Sequence, residues 1–277
     1  MIKLGLIGVG GWGQKIVNTI NSIEDIELVY AANKHNWKQL LNTKEVDGVI
    51  IATPPGSHSK IAIKALKKGL PILIEKPLTL SYETANNIYE ASKLLKNPIV
   101  MVNHIHLYSN AWKEIKKATA IRSVITLAGD TSDKTIKTYP LWDWGAHDIA
   151  MCIDLFNEIP KVKNAVKLGD SNNYNIILDF TGKIASINIG SSMPSKHRYF
   201  KVNSFKGYKI VYDDTFENKI RINGNNVPIN TTSPLTNVIN AFSNSIKSKK
   251  KNVRDLLLGI QVVRILEQCE KELKNGE

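Results

Sequence analysis

Apolar residues along this chain fall into two textures that meet near residue 120. In the first, short apolar runs alternate with helix-spaced patterns. Lys3 to Gly8 is a strand-like run entering glycines, and Trp12 to Ile23 carries Ile16, Ile20 and Ile23 at helical spacing. Ile26 to Ala32 reads as a strand and Trp37 to Thr43 as a short helix. Val46 to Ala52 is a continuous apolar run of the kind that a buried parallel strand shows. Ser57 opens a helix through Lys68 that Gly69 ends; Leu70–Glu75, Ser81–Leu95 and Pro98–Val102 then read as strand, helix and strand. Such alternation predicts an α/β fold with a doubly wound parallel sheet, the Rossmann arrangement.

After Arg122 the pattern changes. One helix, about Ala146 to Phe156, precedes short alternating strands at Asn164–Leu168, Tyr174–Phe180, Ile184–Ile189, Tyr199–Ser204, Lys209–Asp213 and Lys219–Ile222. Two helices close the chain. The expected organisation is a first domain over 1–120 and, over 121–277, an α+β domain with an open, mainly antiparallel sheet.

With 277 residues, 43% of them hydrophobic, both domains can bury a core. Lys and Arg exceed Asp and Glu by 37 to 25, a formal charge of +12. The basic residues are nearly all Lys and are scattered; the densest run, Lys247 to Lys251, lies between two helix patterns. That is a solvated surface rather than a nucleic-acid stripe, yet it attracts anionic ligands such as cofactor phosphates. No apolar run approaches the roughly 18 residues of a membrane span, and Met1 to Gln14 does not read as a signal peptide. Cys152 and Cys269 have neither disulfide-framework nor metal-ligand spacing. A cytoplasmic chain without a metal is the expectation.

Gly8-Val9-Gly10-Gly11-Trp12-Gly13 fits G-x-G-x-x-G between a strand and a helix. The first glycine makes the tight turn, the second lets backbone approach a pyrophosphate, and the third packs helix on strand. The helix N-terminus then faces the phosphates. At the end of the second strand, where an acidic residue usually holds the adenosine ribose, the chain has Asn33 and then Lys34. One reading is a strand-end turn. The other is accommodation of a 2′-phosphate by Lys34, which favours NADP(H) over NAD(H).

Three further segments are Ala52-Thr53-Pro54-Pro55-Gly56-Ser57-His58, Glu75-Lys76-Pro77 and Asp143-Trp144-Gly145-Ala146-His147. With the glycine loop, their order makes the chain resemble the glucose–fructose oxidoreductase / inositol dehydrogenase / MocA (Gfo/Idh/MocA) family. The resemblance implies an NAD(P)-dependent oxidoreductase acting on CH–OH groups. His147 would be general acid/base, Lys76 would hold the reacting oxygen, and Asp143 would orient His147 or bind a neighbouring hydroxyl. Thr53, Pro54, His58, Glu75 and Lys76 would join Gly8, Gly10, Gly11, Trp12, Gly13, Asn33 and Lys34 around the cofactor. Asp143 and His147, four apart, would share one helical face. Arg198, His104 and His106 are open as substrate contacts, with satisfied structural histidines the blander reading of the latter two. Ser191 to Arg198 followed by Lys209 to Asp214 resembles members acting on sugars or nucleotide sugars. The resemblance also implies a homodimer or homotetramer. Non-catalytic dinucleotide sensors and glycosidases that use the cofactor transiently are the alternatives.

One departure is visible. Between Asn33 and Val46 the family places a helix, a strand and another helix, whereas this chain has room for one helix. The sheet is therefore expected to lack one strand.

Overall fold

The computed structural model describes residues 1–33, 35–130, 140–169, 172–193 and 195–275. It divides into two compact units, 1–108 with 233–263 and 109–232 with 264–277.

The first unit begins with β1 (Ile2–Ile7), α1 (Gly11–Ile20), β2 (Ile26–Ala32), α2 (Trp37–Leu40) and β3 (Gly48–Ile51). α3 (His58–Lys67), β4 (Ile72–Glu75), α4 (Tyr82–Lys93) and β5 (Val100–Asn103) follow. All pairings are parallel, in the order β2-β1-β3-β4-β5. β3, β4 and β5 are buried throughout, which is why their sequences are apolar up to Glu75 and Asn103 at the ends of β4 and β5. Among the described residues no strand lies between Asn33 and Gly48, so the sheet has five strands and the expected one is missing. The intervening chain holds only α2.

Leu4, Leu6, Ile50 and Leu73 face Ile16 and Ile20 of α1 and Val238, Ile239 and Phe242 of α7 (Pro234–Ser248). Ser233 caps α7 by accepting from the Thr236 N–H, and Pro234 occupies the first turn. On α3, Ile61, Ala62, Ala65 and Leu66 are buried. Ser57 stands at the N-cap of α3 but caps no helical N–H; its hydroxyl bonds Thr53 Oγ1 and the Pro54 carbonyl instead.

The second unit contains α5 (Asn110–Ile115), β6 (Ile121–Gly129), a π-helical turn (Leu141–Gly145) and α6 (Ala146–Phe156). It continues with β7 (Lys161–Lys167), β8 (Asn173–Phe180), β9 (Lys183–Gly190), β10 (His197–Ser204), β11 (Lys209–Asp213), β12 (Ile220–Ile222) and β13 (Asn225–Asn226). Their order is β13-β12-β11-β10-β6-β9-β8-β7, antiparallel except for β6 with β9. Strict alternation of buried and half-buried residues in β8 and β10 marks a sheet with one face covered. α6 is the cover: Ala146 to Leu155 are all buried, and Phe156 stacks on Phe180 with ring centroids 4.3 Å apart. The last helix, α8 (Arg254–Asn275), contributes its residues through Val263 to the first unit and the rest to the second.

β6 is a strand that the sequence reading passed over, although it is central to the sheet. Its apolar residues are Ile121, Val124, Ile125, Leu127 and Ala128, broken by Arg122, Ser123 and Thr126. Val124, Thr126 and Ala128 point into the core, so a buried threonine occupies one inward position and masks the period-2 signal.

Candidate active site

The glycine loop does three different jobs, and the local geometry separates them. Gly8 has φ +107, and a Cβ there would stand 2.4 Å from the Ala52 carbonyl oxygen. A Cβ on Gly13 would fall 2.0 Å from the Gly8 oxygen, so α1 is locked against the loop. Gly10 and Gly11 have nothing within 4 Å of a notional Cβ. Those two face open space at the N-terminus of α1, whose N-cap makes no side-chain hydrogen bond. The space is a cleft of about 610 Å³ lined by Gly8 to Gly13, Asn33, His35, Ala52, Thr53 and Pro54. The N-terminus of a helix facing such a space favours an anion such as a pyrophosphate.

Asn33 lines this cleft, but its side-chain oxygen accepts from the His35 N–H, and its own N–H donates to Asn36 Oδ1. The strand-end turn is therefore formed. Lys34, the residue behind the NADP(H) expectation, lies outside the described residues.

At the carboxyl edge of the sheet, Glu75 and Asn103 are register partners on β4 and β5. Glu75 Oε1 accepts from Asn103 Nδ2 at 2.6 Å and from Trp12 Nε1 at 2.5 Å. Burial raises the Glu75 pKa, and these two hydrogen bonds oppose the shift. Glu75 thus faces inward and ties the glycine loop to β5. Lys76, half-buried, follows it, and the Lys76–Pro77 peptide is cis.

His58 is fully buried: Nε2 is 2.7 Å from the Thr53 oxygen, and Nδ1 is 3.1 Å from both the Pro77 and Leu78 oxygens. Desolvation lowers its pKa against those three contacts. It joins the cofactor-side loop to the segment after Lys76 without lining the cleft. His104 is buried too, yet neither ring nitrogen has a hydrogen-bond partner among the described residues. Desolvation, then the charge of Lys76, pushes its pKa down to about 3. It is not the satisfied structural histidine that the sequence favoured. His106 is half-buried, in a 3₁₀ turn over Ile105–Tyr108.

In the second unit, Asp143 lies in the π-helical turn and His147 in the first turn of α6. The spacing of four thus spans a wider i→i+5 turn rather than one α-helical turn, a feature frequent at functional sites. A Cβ on Gly145 would come within 3.2 Å of Ile189, so the start of α6 lies close on β9. Asp143 is half-buried and His147 is 8% exposed. Trp144 is half-buried, with the Arg198 guanidinium 5.4 Å from its ring centroid. Arg198 itself is buried and bonds Asp148, whose other carboxylate oxygen accepts from Thr126 Oγ1 at 2.7 Å. Sequence reasoning missed Asp148; a second acid directly after His147, matched by one arginine 50 residues on, was the available signal.

Among the described residues, one group could hold a metal ion, His197, Asp213 and Asp214. There Asp213 Oδ1 already accepts from His197 Nε2 at 2.9 Å and from Thr215 Oγ1 at 2.6 Å.

Residues 2–104 match the model of an oxidoreductase family with an NAD-binding Rossmann fold, GFO_IDH_MocA. Those residues are similar to the NAD-binding domain of the Gfo/Idh/MocA oxidoreductases. It is 36% identical over 135 residues to an inositol 2-dehydrogenase of Corynebacterium glutamicum, spanning 42% of this chain and 40% of that protein. It is 23% identical over 275 residues to the 2,7-anhydro-N-acetylneuraminate hydratase of Escherichia coli, 81% of this chain and 71% of the hydratase. Other curated relatives are matched over 36% and 40% of their lengths. In fold, it resembles the UDP-N-acetylglucosamine 3-dehydrogenase of Acidithiobacillus ferrooxidans, with a TM-score of 0.85 at 19% identity, covering 99% of this chain and 98% of the other. The five-stranded parallel sheet and the second, mainly antiparallel sheet match the fold of that dehydrogenase. Among the described residues no helix is long and apolar enough to cross a membrane.

Proposed function

We propose that this chain is an NAD(P)-dependent dehydrogenase that moves a hydride to or from a hydroxyl-bearing carbon of a sugar or nucleotide sugar. The observation that carries this is the cleft at the N-terminus of α1, where Gly10 and Gly11 leave room and Gly8 and Gly13 do not. Gly8 to Gly13 would hold the pyrophosphate, with Asn33, Thr53 and Pro54 along the same cleft. A bound nicotinamide supplies the hydride acceptor or donor. His147 takes the substrate hydroxyl proton on an imidazole nitrogen, acting as general base. Lys76 Nζ donates to the same oxygen and stabilises the negative charge that develops there. Asp143 holds His147 in orientation or binds a neighbouring hydroxyl. Glu75 and His58 serve the cofactor indirectly, by fixing the loops that carry Trp12, Thr53 and Lys76. Similarity to inositol and nucleotide-sugar dehydrogenases supports the substrate class.

The test is turnover of a sugar and nucleotide-sugar panel by nicotinamide absorbance, then the same assay on His147→Ala. A fall in kcat of about 10²–10⁴-fold with cofactor affinity unchanged is expected. Activity within a few-fold of the unmodified chain would move proton transfer away from His147. A second reading, transient use of the cofactor without net redox change, draws on the hydratase relative. It predicts product formation with no accumulation of reduced cofactor.

A further inference from the structure

His147 needs a fixed direction as well as a position, and three buried side chains around its neighbour supply one. Asp148 is fully buried; Oδ1 accepts from Arg198 Nη1 and Oδ2 accepts from Thr126 Oγ1 at 2.7 Å. Thr126 is on β6 and Arg198 on β10, two strands paired antiparallel with Arg198 opposite Ala128 and Phe200 opposite Thr126. Both therefore point from the same face of the sheet toward α6. Arg198 is anchored in turn: its N–H donates to Asp214 Oδ1 at 2.8 Å, its carbonyl accepts from the Asp214 N–H at 3.1 Å, and its guanidinium lies by the Trp144 ring.

As a source of stability this cluster is poorly made. Arg198 Nη2 is buried with no hydrogen-bond partner among the described residues, and a buried ion pair with an unmet donor gains little over an apolar substitute. What it does well is fix rotation. Two carboxylate oxygens held by two strands leave α6 no freedom to turn about its axis at Asp148. The adjoining side chain, His147, is offset by about 100° around the helix. Helical side-chain tips lie about 6 Å from the axis, so a slip of roughly 10° moves the imidazole by about 1 Å. Such a displacement costs up to about 10²-fold in a proton-transfer step.

We propose that Thr126, Asp148 and Arg198 are positioning residues that set the rotation of His147 about the axis of α6. The inference rests on the assignment of His147 as the proton-transfer group. Removing Arg198 or Asp148 strands a buried charge and endangers the fold, so the primary variant is Thr126→Val, which keeps shape and deletes one hydrogen bond. In the full chain, the ring resonances of all six histidines can be followed by NMR, with that of His147 identified by its loss in His147→Ala. Thr126→Val is expected to shift the His147 signal, leaving those of His35, His58, His104 and His106 unchanged. In steady state, with whichever sugar of the panel turns over, kcat should fall about tenfold or more and KM should stay within about twofold. The same substitution should add nothing in a His147→Ala background. An unmoved His147 signal, or an equal effect in that background, overturns the proposal. Full activity of His147→Ala would instead overturn the role of His147, and the NMR result would still decide whether the clamp orients the ring.

Discussion

His104 gives the sharpest test of the site's electrostatics. Its ring is buried, lacks hydrogen-bond partners among the described residues, and lies near the charge of Lys76, so its pKa falls from 6.5 to about 3. The direction of the stability effect follows from linkage. As pH falls through 6.5 the unfolded chain binds a proton at His104, while the folded chain does not until about pH 3. Stability present at neutral pH is therefore lost progressively on acidification. Between about pH 7.5 and about pH 5 the unfolded state gains about 1.5 pH units of protonation at about 1.4 kcal/mol each, a loss of about 2 kcal/mol from this one residue. His104→Phe removes it and also removes two buried nitrogens without partners among the described residues, so the variant should be no less stable at neutral pH. The assay is equilibrium urea unfolding of the whole chain at both pH values, wild type against His104→Phe. His58, whose pKa is also lowered, is present in both and cancels. The variant should lose about 2 kcal/mol less on acidification. Equal pH dependence of the two proteins would refute the reasoning, because it would mean that the ring titrates as though it were in water.

Four other outcomes are expected. Gly13→Ala should destabilise the first unit by more than about 2 kcal/mol in the same unfolding assay, since its Cβ would overlap the Gly8 oxygen. Gly10→Ala should leave stability within about 0.5 kcal/mol and weaken dinucleotide binding about tenfold or more by calorimetry, because its Cβ enters only the open cleft. NADP(H) should bind more tightly than NAD(H) at one ionic strength if Lys34 meets a 2′-phosphate; the opposite order would leave Asn33 as a turn residue only. The second unit's sheet leaves one face half-buried, with Ile125 38% exposed on β6, so it is expected to pair with a second copy. Sedimentation at micromolar concentration that finds only monomer would contradict this.

Much of this molecule was legible in order along the chain because its signals are local. A turn that only glycine permits, a strand buried on both faces and an amphipathic helix each leave their mark within about a dozen residues. Gly8 to Gly13, the runs at Gly48–Ile51 and Ile72–Glu75, and Ala146–Phe156 were readable for that reason. So was the missing strand, since the distance from Asn33 to β3 is a matter of chain length.

What the sequence left open were pairings between distant positions. α7 is visibly amphipathic, but its stripe does not say which sheet it meets; Phe242 and Ile246 close on Gly48 because that glycine leaves their tips room. Glu75 belongs to a motif, yet its carboxylate turns inward because Trp12 and Asn103 offer it donors there. β6 became central only when β9 and β10 chose it as partner, and its inward threonine met Asp148 there. Periodicity fixes which side of an element is apolar. Which surface covers that side, and which buried polar groups find each other across 50 residues of chain, depends on packing and desolvation that exist only in the folded protein.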